Sequence, residues 1–208
     1  MSRQLIILGA SGHGKVAADI AMQNGYEELL FLDDNPEIKE CLGWPVVGCI
    51  AEAEAYQGCF FVAIGNPNIR ETIQNSLERM GKTVVSLIHP SAVIGHCVTI
   101  DSGTVIMAGA VINPGTIIGK GCIVNTCASV DHDCKIDAYV HISVGARIAG
   151  TVNIGTRTWV AVGASVINNV SIAPDCMIGA GAAVVKNIVE PGTYVGLPAR
   201  KAATPATD

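Results

Sequence analysis

The stretch Thr104–Val124, TVIMAGAVINPGTIIGKGCIV, has isoleucine or valine at every sixth position, beginning with Ile106. The same step of six runs without interruption through sixteen positions, namely Ile94, Ile100, Ile106, Ile112, Ile118, Val124, Val130, Ile136, Ile142, Ile148, Ile154, Val160, Val166, Ile172, Ile178 and Val184. A second series, four residues after the first, contains only short side chains, from Val98 through Thr104 and Ala110 to Ala182. An unbroken six-residue period predicts a parallel β-helix, in which three hexads form one coil of a triangular prism. Sixteen hexads then make about five coils.

Glycines and cysteines fit the same repeat. Glycine lies three residues after the aliphatic residue in seven hexads, where the chain must turn a corner of the prism: Gly103, Gly109, Gly115, Gly121, Gly145, Gly163 and Gly181. Cys122, Cys134 and Cys176 fall in the second series, so we interpret them as compact interior side chains. There is no C-x-x-C pair among the eight cysteines, and their spacings match no zinc motif. No metal site is predicted.

Residues 1–88 have a different pattern, in which strand-like and helix-like segments alternate. A buried strand, QLIILGA, is followed by a helix that ends near Gly25 and by a second strand, ELLFLDD. Further strands are predicted around Val46, at CFFVAIG and at TVVSLI, with a helix from about Asn68 to Met80. This order predicts a Rossmann-like α/β domain with a parallel sheet over residues 1–88, a β-helix over 89–190 and a tail over 191–208.

Composition excludes some classes of function. The net charge of −5 is spread thinly, without a Lys/Arg run, and aromatic residues make up only 4% of the chain, which argues against nucleic-acid binding. The apolar run Leu5–Leu8 is too short for a signal sequence or a membrane span. We therefore expect a cytoplasmic protein without a membrane partner.

The stretch Ser129–Ser143, SVDHDCKIDAYVHIS, holds the residues most suited to chemistry. In the repeat, Val130 and Cys134 point inward, so His132, which lies between two aspartates, points outward. An imidazole titrates near neutral pH, and a neighbouring carboxylate can fix its tautomer and raise its basicity. His141 follows after half a coil and is expected on another side of the prism, so that three packed prisms could bring it beside His132 of a neighbour.

Several motifs together resemble the nucleotide-amino-sugar N-acetyltransferases of the bacillosamine and perosamine type, and the related sialic acid O-acetyltransferases. They are GASGHGK, LDD, IGNPNIR, NTCASVDHDCKI, HISVGA and the terminal VGLPAR, so that the resemblance covers nearly the whole chain. It implies a left-handed β-helix, a homotrimer with sites between subunits, and acetyl-CoA as co-substrate. It also makes His132 the general base and Asp133 its acidic partner, where a glutamate is often found.

The coenzyme groove implied by the resemblance is lined by Gly150, Val162 and Ala180. We expect His141 to bind the thioester end, and Arg200 with Lys201 suits the coenzyme phosphates. Solvated side chains are the alternative for the two basic residues.

The nucleotide site is expected in the first domain. The loop GASGHGK follows a strand and opens a helix, where backbone N–H groups attract phosphate, although its glycines fit neither the G-x-G-x-x-G nor the Walker pattern. The resemblance implies that Ser11, Gly12 and His13 contact a diphosphate. Asp33 and Asp34 at the next strand end suit a base or ribose, and three residues complete the cleft: Gly65, Asn66 and Arg70. Turn and helix-cap roles are the alternatives.

The sequence thus favours an acetyl-CoA-dependent N-acetyltransferase that acts on the 4-amino group of a UDP-linked sugar, by direct attack and with His132 as base. Three alternatives stay open. One is a sugar O-acetyltransferase of the sialic acid type. Another is a γ-class carbonic anhydrase, although His96 lies two coils from His132. The third is a non-catalytic sensor of nucleotide sugars.

Overall fold

The computed structural model describes residues 3–202. Its first domain is a β-sheet with helices beside it. Its elements are β1 Gln4–Leu8, α1 Gly12–Gln23, β2 Glu28–Leu32, β3 Glu40–Cys41, β4 Trp44–Gly48, a 3-10 helix Ile50–Ala55, β5 Cys59–Val62, α2 Pro67–Arg79 and β6 Thr83–Val84. The strand order is β3-β4-β2-β1-β5-β6, and every pair except β3–β4 is parallel. Leu5, Ile6, Ile7 and Leu8 are fully buried because β1 lies in the middle of the sheet. The predicted Rossmann-like sheet is confirmed.

Residues 87–201 form the predicted left-handed β-helix, whose short strands stack in three faces. The first face comprises Leu87–Ile88, Val105–Ile106, Ile123–Val124, His141–Ile142, Trp159–Val160, Cys176–Ile178, Gly192–Val195 and the antiparallel Arg200–Lys201. The second comprises Val93–Ile94, Val111–Ile112, Ser129–Val130, Arg147–Ile148, Ser165–Val166 and Ala183–Val184. The third comprises Thr99–Ile100, Ile117–Ile118, Lys135–Ile136, Asn153–Ile154 and Ser171–Ile172.

The interior of the prism follows the sequence repeat. From Ile106 to Val184 every member of the aliphatic series is buried, while Ile94 at the open end is 37% exposed. Thr104, Thr116 and Thr158 in the second series are fully buried, and each hydroxyl donates to a backbone carbonyl. The three interior cysteines are buried, and the seven turn glycines all have positive φ, as predicted.

The predicted last strand of the first domain is two strands that belong to different sheets. Thr83–Val84 is β6, which pairs with β5, whereas Leu87–Ile88 pairs with Val105–Ile106 and begins the β-helix. The reason is register, since Ile88 is one hexad before Ile94. Only Val85 and Ser86 separate the two sheets.

The domain junction contains an apolar layer. Leu87, Val105 and Ile123, the outward residues of the first face, are buried in one cluster with residues of α1 and the sheet. The first domain therefore covers the first three strands of the first face of the prism.

Arg70 of α2 joins the two domains through backbone carbonyls. The side chain is 1% exposed, and its Nε donates to Gly121 O at 2.7 Å and its Nη2 to Tyr139 O at 2.7 Å, both in the β-helix. Nη1 donates to Ile64 O and Gly65 O in its own domain. Burial lowers the pKa of the guanidinium to about 10, which keeps it charged at neutral pH.

The role of Arg70 in the nucleotide cleft stays a prediction, and the structure gives its side chain a further role. Its side chain is enclosed between the domains and its donors are engaged by four carbonyl oxygens, so it orients one domain against the other. Two ion pairs also join the domains. Arg157 of the β-helix pairs with Glu71 of α2 at 2.9 Å, and Lys120 of the β-helix pairs with Glu78 of α2 at 3.0 Å.

We predict that Arg70→Met destabilises the protein by about 3 kcal/mol or more, because four carbonyls at the domain junction, two of them buried, lose a charged donor. The matched control is Arg79→Met on the exposed side of the same helix, which should change stability by no more than about 0.5 kcal/mol. Urea unfolding followed by fluorescence reports on each domain, since Trp44 lies in the first and Trp159 in the second. Equal effects of the two substitutions would contradict the role given to Arg70.

Candidate active site

His132 lies in the turn that joins the second face of the prism to the third. Its carbonyl accepts from Thr151 N at 2.9 Å on the next coil, and Asp133 N donates to Pro114 O at 3.1 Å on the previous coil. Asp133 has φ 57°, a left-handed conformation that lets this non-glycine residue close the turn. The backbone at His132 is thus held from both sides.

The two aspartates beside His132 have separate tasks. Asp131 Oδ1 accepts from His132 N at 2.8 Å and from the Asn113 amide at 2.7 Å, and these hydrogen bonds lower the pKa of Asp131. Asp133 Oδ2 lies 2.9 Å from His132 Nδ1. This hydrogen bond is the main cause of the raised pKa of His132, to which the charge of Asp131 adds. The arrangement keeps the neutral ring protonated on Nδ1 and leaves Nε2 as the basic atom.

Gly150 lies directly beneath the imidazole, one coil below. A Cβ built at this position would come within 2.5 Å of His132 Nε2, so that a larger residue would displace the ring. The predicted base and one predicted coenzyme-binding residue are therefore neighbours. The His132 side chain is 56% exposed in the single chain.

His141 lies on the first face and is 8% exposed. Its ring stacks on Trp159 with centroids 4.8 Å apart, and its Nε2 lies 3.2 Å from the Asn125 amide nitrogen. Val162 and Ala180, two other predicted coenzyme residues, are exposed at the corner between the first and second faces, one coil apart. The second face separates this group from His132 and Gly150, so one chain does not bring all the predicted residues together.

The predicted nucleotide loops lie at the carboxyl ends of adjacent strands in the order β2-β1-β5. Ser11 and Gly12 follow β1, where Gly12 begins α1. Asp33 follows β2 and accepts from Ala10 N at 2.6 Å, which ties the first two loops together. Asp34 accepts from Ile50 N at 2.9 Å.

These loops border a cavity and a helix cap. Asp33, Asp34, Lys39 and Cys49 are among the residues that line a cavity of about 230 Å³ at the end of β2. Asn66, which follows Gly65 after β5, caps α2 by accepting from Asn68 N and Ile69 N. The other predicted nucleotide residues lie along this edge, and Arg70 contacts it through Nη1, which donates to Gly65 O at 2.8 Å.

His13 lies in the first turn of α1, and its Nε2 is buried. Burial lowers its pKa to about 4, with a further contribution from Arg70. Burial lowers the pKa of His141 to about 3, and Arg70 and His13 contribute further. Both rings are neutral at pH 7.

The tail forms the base of the prism. Arg200 and Lys201 are exposed and border a cavity of about 270 Å³ together with Lys186 and Tyr194, and Lys201 pairs with Glu190 at 2.9 Å. Residues 203–208, the end of the predicted tail domain, lie outside the described residues, as do residues 1–2.

Three residues of this region had no predicted role. Asn125 and Trp159 contact the His141 ring, and Trp159 Nε1 donates to Ser143 Oγ at 2.6 Å. Their signal in the sequence is position in the repeat: Trp159 occupies the position of His141 one coil later, and Asn125 and Ser143 lie at the corner that follows the first face. Between residues 3 and 202 no three His, Cys, Asp or Glu side chains are grouped so as to hold a metal ion, and no helix in that range could cross a membrane.

The chain matches a family model and is similar to known proteins. Residues 4–77 match the model of the PglD N-terminal domain. GDP-perosamine N-acetyltransferase of Escherichia coli O157:H7 is 31% identical over 74% of this chain and 73% of its own. UDP-N-acetylbacillosamine N-acetyltransferase of Bacillus subtilis is 35% identical over 51% of this chain and 52% of its own. The acetyltransferase domain of PglB from Neisseria gonorrhoeae, solved with acetyl coenzyme A, is 37% identical with a TM-score of 0.93, over 97% of this chain and 100% of its own.

A prism of hexapeptide coils with a carboxylate-paired histidine at one corner defines a hexapeptide-repeat acyltransferase. Within that class, the chain belongs to the nucleotide-amino-sugar N-acetyltransferase family that includes the E. coli GDP-perosamine enzyme.

We predict that Asp133→Asn lowers the pKa of His132 toward its ordinary value near 6.5, because the hydrogen bond that favours the imidazolium is weakened. At a pH between the two values the variant ring will be mostly neutral where the native ring is mostly charged. Ring resonances followed by NMR against pH measure this directly. The control is Asp137→Asn, which removes a carboxylate beside Lys135 in the next turn and should leave the His132 titration unchanged.

Proposed function

We propose that this protein transfers the acetyl group of acetyl-CoA to the 4-amino group of a UDP-linked amino-deoxy sugar, with His132 as general base. As a member of its family the chain is an acetyltransferase, and acetyl-CoA is its co-substrate. The observation that carries the mechanism is the hydrogen bond between Asp133 and His132 Nδ1, which leaves Nε2 as an exposed base. The cytoplasmic location expected from the sequence is part of this proposal.

The proposed reaction is a direct acyl transfer. The sugar nitrogen attacks the thioester carbonyl carbon, the C–N bond forms, and a proton passes from the nitrogen to His132 Nε2. The C–S bond then breaks, and the imidazolium returns the proton to the departing thiolate of coenzyme A. Asp133 and Asp131 stabilise the imidazolium between these two steps because both raise the pKa of His132. No covalent enzyme intermediate is required.

A homotrimer is proposed because the predicted site residues lie at two corners of one prism. If the second face of each subunit turns toward a threefold axis, the His132 corner of one subunit meets the Val162 corner of the next. The outward residues of that face suit close packing, since five of the six are small or aliphatic: Val93, Val111, Ser129, Ser165 and Ala183, with Arg147 as the sixth.

Acetyl-CoA is proposed to lie along this seam. Gly150, Val162 and Ala180 would offer backbone groups to the pantetheine, and Arg200 with Lys201 would meet the phosphates at the base of the prism. Its thioester would lie between His141 of one subunit and His132 of another. The nucleotide would occupy the edge formed by Ser11, Gly12, His13, Asp33, Asp34, Gly65 and Asn66.

We expect His132→Ala to lower kcat about a hundred- to ten-thousandfold, the range for loss of a general base. Release of the coenzyme A thiol with a saturating amino sugar measures the rate. His96→Ala is the matched control, because His96 is exposed at the same corner two coils away and should be dispensable. Near-native turnover of His132→Ala would refute the assigned base.

The acceptor is tested with a panel of UDP-linked and GDP-linked 4-amino sugars and free sialic acid. Fastest thiol release with the UDP sugar supports the proposal, and a clear preference for the GDP sugar, as in the name of the E. coli relative, would overturn the choice of nucleotide. Acetylation of sialic acid alone would favour the O-acetyltransferase. Binding of a nucleotide sugar without any thiol release would favour the sensor.

The shared site is tested with hybrid trimers. His132→Ala and Val162→Trp change opposite corners, and each homotrimer should be inactive. When the two variants assemble together at equal amounts, about a quarter of the sites combine two native corners, so about a quarter of the native activity should return. Mixed trimers without recovered activity would show that each site lies within one chain.

A further inference from the structure

His141 lies where the first domain stops covering the first face of the prism. Its strand neighbours are Ile123 on the previous coil and Trp159 on the next. Ile123 is 1% exposed and belongs to the apolar cluster of the domain junction, whereas Trp159 is half-buried. The imidazole therefore occupies the border between the covered part and the open part of this face.

Trp159 provides an aromatic surface for the His141 ring. The two ring centroids are 4.8 Å apart and the ring planes differ by 23°, which is a stacked arrangement. The torsion that turns an imidazole about its Cβ–Cγ bond is broad when nothing restricts it. Turning the ring about this bond would break the stack, so the contact with Trp159 selects one ring plane.

Ser143 holds the indole that makes this contact. Trp159 Nε1 donates to Ser143 Oγ at 2.6 Å, and Ser143 is 7% exposed. The serine backbone is held by the prism, because Ser143 N donates to Val160 O at 2.9 Å and its carbonyl accepts from Ala146 N at 3.1 Å. Direct contacts thus lead from the backbone at Ser143 through the indole to the ring of His141.

Asn125 restrains the same ring in a different way. Its amide nitrogen lies 3.2 Å from His141 Nε2, and its Oδ1 accepts from Thr126 N at 2.8 Å. This contact limits the direction in which Nε2 points. A single hydrogen bond at the edge of the ring leaves the ring able to tilt about it, and the stack on Trp159 removes that tilt.

We propose that Trp159 is a positioning residue that sets the plane of the His141 imidazole, and that Ser143 holds the indole in the required orientation. The catalytic consequence rests on the proposed function, in which His141 binds the thioester end of acetyl-CoA. Ring nitrogens form hydrogen bonds in the plane of the ring, and such bonds weaken steeply when their angle is poor. A tilted His141 would therefore make a weaker hydrogen bond to the thioester. Trp159 acts through His141 and needs no contact with the substrate.

The ring orientation is tested by NMR of the protein at pH 7 without substrates. The chain has five histidines, and His141→Gln identifies the ring protons of His141. These protons should be shifted upfield because the ring is stacked on the indole. Trp159→Leu should move them downfield, whereas Trp159→Phe, which keeps an aromatic face, should leave them upfield. Ser143→Ala should produce a smaller downfield shift than Trp159→Leu.

Trp44→Leu is the matched control, because it makes the same change at a half-buried tryptophan in β4 of the first domain. It should leave the His141 signals in place. Ring protons of His141 that do not move in Trp159→Leu would overturn the proposal.

Turnover tests whether the ring plane matters for catalysis. With thiol release followed at limiting acetyl-CoA, we expect Trp159→Leu to lower kcat/KM about tenfold, the effect of one weakened hydrogen bond. Trp159→Phe should retain about half of the native value or more. The circular dichroism spectra of both variants should match that of the native protein.

A double substitution separates positioning of His141 from a general structural role. If Trp159 acts through His141, Trp159→Leu should change kcat/KM by no more than about twofold when it is added to His141→Gln. A tenfold loss in both backgrounds would refute the proposal, since Trp159 would then act independently of His141. The NMR readout needs no substrate. If no acceptor in the panel released coenzyme A, the proposed function would fail while the ring orientation stood.

Discussion

Parallel pairing between residues eighteen apart is the constraint on which the rest of this molecule depends. Each short strand hydrogen-bonds to the strands one coil above and one coil below, so a side chain at a corner has the corresponding corner residues as fixed neighbours. His132 above Gly150 and Val162 above Ala180 are both results of that geometry. The prism contributes little chemistry itself, but it fixes the position of every reactive group that it presents.

The domain junction contains a buried cation, Arg70, that has no carboxylate partner among residues 3–202. Arg70 is surrounded by carbonyl oxygens, whose partial charges compensate it while their directions define one arrangement of the domains. Burial is the main cause of the lowered pKa values of His13 and His141, and the positive charge of Arg70 lowers both further. Arg70 thus supports the junction and also disfavours protonation of the two rings.

Most of the fold could be predicted because the six-residue period determines which residues face inward. The aliphatic series and the interior cysteines are buried, and the glycines form the turns, as that period requires. The period does not state what an outward residue touches. The enclosure of Arg70 between the domains was not foreseen, because it depends on how the two domains dock. The position of Ile88 in the six-residue period indicates that residues 83–88 belong to two sheets. The stretch TVVSLI was nevertheless predicted as one strand because most of its residues are apolar or β-branched.

Because only two residues separate β6 from Leu87, the height of each coil is fixed relative to the first domain. Adding or removing one whole coil between Ile88 and Val130 would translate the reactive corner by about 4.8 Å relative to the nucleotide edge and leave its facing direction unchanged. Duplication or loss of an eighteen-residue coil would therefore change the distance between the nucleotide edge and the reactive corner in fixed steps. Acceptor molecules of different length could be accommodated in this way without changes in the first domain or in the reactive corner.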